Sequence, residues 1–146
     1  MDIAPTPSSR ATVMTTSTPA PWTIPQPLQG ELALGPGIDA EALRKGLEAL
    51  ADRKDVHALV VFGSRACAAG TRPDSDLDLL VIGREARINP ADQIQRWQEL
   101  RSALGDVGVP VDLLVYGQEE AGWLSGSRWH VLGRAARSGR VLYVAQ

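Results

Sequence analysis

The sequence predicts an α/β domain, and three features carry that prediction. Apolar runs of strand length recur at residues 57–62, 75–81, 109–116 and 141–144. Segments with apolar residues at helical spacing lie between or beside them, near residues 40–54, 91–104 and 127–138. Gly and Pro punctuate the joints: Gly35-Pro36-Gly37, Gly63-Ser64, Asn89-Pro90, Gly105 to Gly108 and Gly139.

Taken in order, residues 1–30 hold six of the ten prolines together with many threonines and serines, a composition that offers little apolar burial against the entropy of ordering. They are expected to form a disordered tail, with the folded domain over residues 31–146. Trp22 and Ile24 are the residues of that tail able to dock on the domain or a partner. Asp39 then stands where an N-cap belongs, and Ala42, Leu43, Leu47, Leu50 and Ala51 define an amphipathic helix ending near Lys54. The first strand follows over 57–62, with His57 at its start read as a surface or structurally satisfied histidine. The second strand runs over 75–81. Asn89-Pro90 opens a helix over 91–104 whose Ile94, Trp97, Leu100 and Leu104 form an apolar stripe expected in the core. In the third strand, 109–116, Val109, Val111, Leu113 and Val115 share one face, leaving Asp112 and Leu114 on the other. Glu119 and Glu120 are assigned to a polar loop. A last helix over 127–138, burying Trp129, Leu132 and Ala136, leads through Gly139 to a short final strand. Trp123 is expected to pack internally, His130 has no motif around it, and Arg128, Arg134, Arg137 and Arg140 read as a solvated basic face.

Bulk properties narrow the functional classes. A chain of 146 residues has room for one modest domain. Its single cysteine, Cys67, excludes an internal disulfide and a multi-cysteine zinc site. A formal net charge of −2 gives no general attraction to nucleic acid. No apolar run approaches the ~20 residues a bilayer-spanning helix needs, and residues before Gly30 lack the apolar block of a secretory signal. A cytoplasmic, soluble protein is expected.

The chemistry concentrates between Val60 and Val81. If residues 75–81 are extended, Asp76 and Asp78 project from one face while Leu77, Leu79 and Val81 project from the other. Asp112 is the later acid set inside an apolar strand, where an unpaired carboxylate is costly. Two carboxylates ~4 Å apart repel by about 4 kcal/mol at an effective dielectric of 20, so three that meet call for cations. All-oxygen ligation suits Mg²⁺, with substrate phosphates and water completing its octahedron. Two ions ~3.5–4 Å apart are the arrangement that supports phosphoryl or nucleotidyl transfer. Gly63 lets phosphate approach the backbone, and Ser64 offers an amide and a hydroxyl as donors. Gly63, Ser64, Arg65 and Ser75 are the candidate nucleotide-binding residues; Asp74 and Ser75 also suit a turn after Pro73.

These motifs, Gly63-Ser64, Ser75-Asp76-Leu77-Asp78-Leu79 and Val111-Asp112-Leu113-Leu114, resemble those of the minimal nucleotidyltransferase family within the DNA polymerase β superfamily, over roughly residues 39–144. The resemblance implies a small mixed sheet backed by helices, with Asp76 and Asp78 binding both metals and Asp112 holding the one that activates the acceptor hydroxyl. Family members often carry Ala-Arg-Gly soon after Gly-Ser; this chain has Ala66-Cys67-Ala68-Ala69-Gly70, so Arg65 or Arg72 becomes the candidate for the missing phosphate contact. Cys67 reads as a small loop residue.

The resemblance implies Mg²⁺-dependent transfer of NMP, AMP from ATP foremost, onto a hydroxyl of a partner protein, in the manner of antitoxins paired with a HEPN-type toxin. A small-molecule transferase of the antibiotic-resistance type and a non-catalytic binding module are the alternatives.

Overall fold

The computed structural model describes residues 19–67 and 71–146. Four strands, β1 (Val56–Phe62), β2 (Leu77–Gly83), β3 (Val111–Tyr116) and β4 (Arg140–Val144), form one mixed sheet in the order β3-β2-β1-β4. β1 runs antiparallel to β2 and to β4, whereas β2 and β3 are parallel and joined through a helical crossover. The two central strands are buried on both faces, so they read as continuous apolar runs; β3, at an edge, alternates.

Helices cover both faces. α1 (Ala40–Ala51) and α2 (Gln93–Leu104) close one layer, where Leu43, Leu47, Leu50, Leu100 and Leu104 meet Leu59, Val61, Leu79, Val81, Leu113 and Leu142. The expected cap is present: Asp39 Oδ1 accepts from Ala42 N at 3.0 Å. On the other face α3 (Gln118–Leu124) and α4 (Val131–Ser138) set Ala121, Leu132 and Ala135 against Ala58, Val60, Phe62, Leu80 and Ile82. At the sheet end away from Gly63, Arg53 bridges Asp55 (2.8 Å) and Glu99 (3.1 Å), and Arg96 bridges Asp55 and Glu85, fastening the entry to β1 to α2.

Several expectations change. Residues 19–30 are not a free tail: Trp22 is 2% exposed inside the second core, its carbonyl meets His57 Nε2 at 3.1 Å, and Gln26 exchanges two backbone bonds with Val144 at the open edge of β4. Composition hid this because the attachment is one buried indole plus backbone pairing, which need no apolar periodicity. The remaining tail, residues 1–18, lies outside the described residues. α3 occupies the stretch expected to be a polar loop; it is a seven-residue helix with one buried side chain, Ala121, too short to show a period. The last helix starts at Val131, because Ser127 Oγ accepts from the amides of Trp129 and His130 and His130 Nδ1 caps Leu132 N. Trp123 and Trp129 are 79% and 85% exposed; Ile94 and Trp97 are exposed as well, the Trp97 indole donating to Leu113 O on edge strand β3. Leu100 and Leu104 alone of that stripe are buried.

Trp22→Ala should therefore lower stability by about 3 kcal/mol, the cost of emptying a buried indole site, read as a shifted urea midpoint. A change below about 1 kcal/mol would show that the segment adds nothing to the fold.

Candidate active site

At the end of β1 the chain turns through Gly63, whose φ of +72° favours glycine, into the 3₁₀ segment Gly63–Ala66. Phe62 is the register partner of Asp78, and Asp78 is the register partner of Asp112 across the parallel β2–β3 pair. A Cβ at Gly63 would lie 2.2 Å from Asp78 Oδ2, so backbone and carboxylate are in near contact. Strand alternation puts Asp78 and Asp112 on the face of Leu80, Ile82, Leu114 and Tyr116, the side covered by α3 and α4. Asp76 precedes β2 and is exposed, so strand alternation does not set its direction. Its nearness shows electrostatically: the Asp78 carboxyl is pushed above the usual carboxylate range, first by burial, then by Asp112, then by Asp76. Asp112 is itself exposed, which removes the burial argument that singled it out; its register with Asp78 is what joins it to the site.

The nucleotide-side candidates divide. Ser64 is exposed at the turn, and Thr71 Oγ1 lies 3.0 Å from its carbonyl and 3.3 Å from that of Cys67, a brace the sequence did not reveal. Ser75 Oγ accepts from Arg72 N at 3.2 Å and closes the turn. Arg72 is exposed, 3.6 Å from Asp74. Arg65, by contrast, is 0% exposed. Its five N–H groups all reach backbone carbonyls: Nε to Ser75 (2.9 Å), Nη1 to Leu34 (2.8 Å) and Pro36 (2.9 Å), Nη2 to Arg72 and Pro73 (3.4 Å each). A guanidinium with no donor left cannot also hold a phosphate, so the expected nucleotide contact at Arg65 is corrected; Arg72 keeps an outward-facing side chain.

Among the described residues no three His, Cys, Asp or Glu side chains converge tightly enough to enclose a metal unaided. Magnesium does not need such a cage, since one or two carboxylates plus substrate phosphates suffice. The pair Asp78 and Asp112, repelling each other and Asp76, fits that open kind of site. A depression of about 840 Å³ between α2 and residues 105–110 includes none of these acids.

The profile of the family described as "Polymerase beta, Nucleotidyltransferase" matches residues 45–143. The chain belongs to this nucleotidyltransferase family. Its fold is also that of spectinomycin adenyltransferase AAD(9) from Enterococcus faecialis, crystallised with ATP and spectinomycin, at 20% identity and a TM-score of 0.50 over 73% of this chain. This nucleotidyltransferase-family chain spans 56% of that one. A Sulfolobus solfataricus protein proposed to be a nucleotidyltransferase overlaps at 15% identity, 80% of this chain and 90% of that one, with a TM-score of 0.42, too loose to carry an argument. Among curated sequences none matches. Among the described residues no helix is long and apolar enough to cross a membrane.

Proposed function

We propose that the protein transfers a nucleoside monophosphate, AMP from ATP foremost, to a hydroxyl group in a Mg²⁺-dependent reaction. The observation that carries this is the cross-strand register of Asp78 with Asp112 beside the open backbone of Gly63. Asp76, Asp78 and Asp112 are the residues that would hold magnesium, which when bound neutralises triphosphate charge and favours the ionised acceptor oxygen. The protein's own share is placement. Gly63, without a side chain, would let the triphosphate approach the backbone, and the exposed Ser64 would supply its amide and hydroxyl as donors. The acceptor oxygen bonds to the α-phosphorus as the bond from that phosphorus to the α–β bridging oxygen breaks, and pyrophosphate leaves in line. Orientation and charge stabilisation account for most of such a rate enhancement.

A hydroxyl on a partner protein, such as a tyrosine of a HEPN-type toxin, is the acceptor favoured by the resemblance to minimal nucleotidyltransferases. A small-molecule acceptor is the second reading, and the antibiotic-modifying enzyme that shares the fold supports it. Both readings suit the cytoplasm, where ATP and Mg²⁺ are abundant. The test is incubation of the purified chain with Mg²⁺ and α-labelled NTPs, with and without co-purified proteins or aminocyclitol acceptors. Label is expected on protein in the first case and on the small molecule in the second. No transfer under any condition, alongside partner inhibition that survives Asp76→Ala/Asp78→Ala, would replace both with a non-catalytic binding role.

A further inference from the structure

Arg65 is a buried cation with no carboxylate within ion-pair distance among the described residues; its hydrogen-bond partners there are backbone carbonyls alone. Those carbonyls come from two separate stretches: residues 34–36, and the turn 72–75 that leads into Asp76. The arginine itself follows Gly63-Ser64 directly. One side chain therefore ties the Gly-Ser turn, the aspartate turn and an upstream strap into a single unit.

The strap is built for this contact. Gly35 has φ +92°, and a Cβ there would lie 2.9 Å from Thr71 Cγ2 and 3.2 Å from Arg65 Nη1. Gly37, φ +91°, packs so tightly that a Cβ would come within 2.0 Å of Pro73 O. Two more arginines hold the strap from behind: Arg44 donates to the carbonyls of Gln29 and Gly30, and Arg140 to those of Glu31 and Ala33. Residues 34–37 lie upstream of the family-matched span, which begins at residue 45.

We propose that Arg65 is a positioning residue, which clamps residues 34–36 against the 72–75 turn and thereby fixes Ser64 and Asp76 relative to each other. The strap is then a working part of the site. The catalytic consequence rests on the proposed nucleotidyl transfer; the clamp itself does not. Arginine is required because its planar fork supplies five donors to convergent carbonyls, whereas lysine has three on a single point and glutamine two.

The test uses the full chain and two variants that attack the clamp from opposite sides, Arg65→Lys and Gly35→Ala. Hydrogen exchange, read without metal, is expected to quicken about tenfold in peptides covering both 34–37 and 72–78, with α1 and β4 unchanged. Affinity for Mn²⁺ with a non-hydrolysable ATP analogue is expected to fall about tenfold in both variants. Trp22→Ala, which loosens the domain elsewhere, should leave that affinity unchanged per folded molecule. Uniformly faster exchange across α1 and β4 would overturn the proposal, as would normal Mn²⁺-nucleotide affinity in variants whose 72–78 exchange has quickened. If Arg65→Lys does not fold, Gly35→Ala decides both readouts. A wild-type chain that binds no Mn²⁺-nucleotide would refute the proposed function, and the exchange pattern would still decide the clamp.

Discussion

Asp78→Asn is expected to remove nucleotidyl transfer by about 10³-fold or more and, in metal-free buffer, to make the protein more stable. The first effect follows from the proposed site: a preorganised group that serves transition-state charge is worth this order of rate when deleted. The second follows from the electrostatics of the empty acids. Asp78 is held above the ordinary carboxylate value of 3.8 by burial and by Asp112 and Asp76. Because its folded-state value is raised, the stability this group contributes is fully present below pH 3.8 and is lost as pH rises through the folded value. Above that folded value it is ionised and repelled, so the asparagine variant should there exceed the parent by about 0.5–1 kcal/mol, the scale of a like-charge cross-strand pair screened in part by solvent. That gap should close as pH falls toward 4. Asp55 and Glu85 are held low by Arg53 and Arg96 respectively and lose stability as pH falls, but they do so in both proteins and cancel from the difference. Magnesium should raise the melting temperature of the parent and not of the variant. Melting curves between pH 4 and 8, with and without MgCl₂, make the comparison; an asparagine variant less stable than the parent at neutral pH would contradict mutual repulsion.

The contrast between what sequence showed and what it hid follows from range. The strands, α1 with its Asp39 cap, and the Gly63-Ser64 to Asp76-Asp78 motif are local patterns, and they were legible. The meeting of Asp78 with Asp112 depends on parallel register, in which a slip of one residue would turn Asp112 to the opposite face. No spacing along the chain encodes that register. Arg65 is opaque to sequence for the same reason: beside Gly-Ser it looks like an exposed phosphate ligand, yet its nearest partners, Leu34, Pro36 and Ser75, are 31, 29 and 10 residues away. Trp97 and Trp129 sit at helical spacing from buried leucines, yet Trp97 turns to Leu113 O at the sheet edge and Trp129 lies ahead of the first turn of α4. Apolar period marks a face; it does not say how far the neighbouring layer extends.

Gly63→Ala offers the sharpest separation of site from scaffold. Gly63 lies at the end of a strand buried on both faces, so the sheet can form around an altered turn. Alanine at φ +72° costs about 1–2 kcal/mol in backbone strain, a modest fraction of the stability of an ordinary domain. The added methyl also meets a carboxylate oxygen 2.2 Å away, on Asp78. That is roughly an ångström short of an ordinary carbon–oxygen contact, so either the turn or the carboxylate must move by about that much. Movement of the Asp78 carboxylate changes its placement relative to Asp112, and movement of the turn displaces Ser64. Both break the same arrangement, so transfer should fall by about 10²-fold or more, the usual consequence of a 1 Å misplacement. The stability loss should stay near 1–2 kcal/mol, with the far-ultraviolet circular dichroism of the parent. Steady-state transfer rates paired with urea titrations test this directly. Near-parental transfer in Gly63→Ala would mean that the close approach of Gly63 to Asp78 has no part in the chemistry, and the acids would then have to work without the glycine turn beside them.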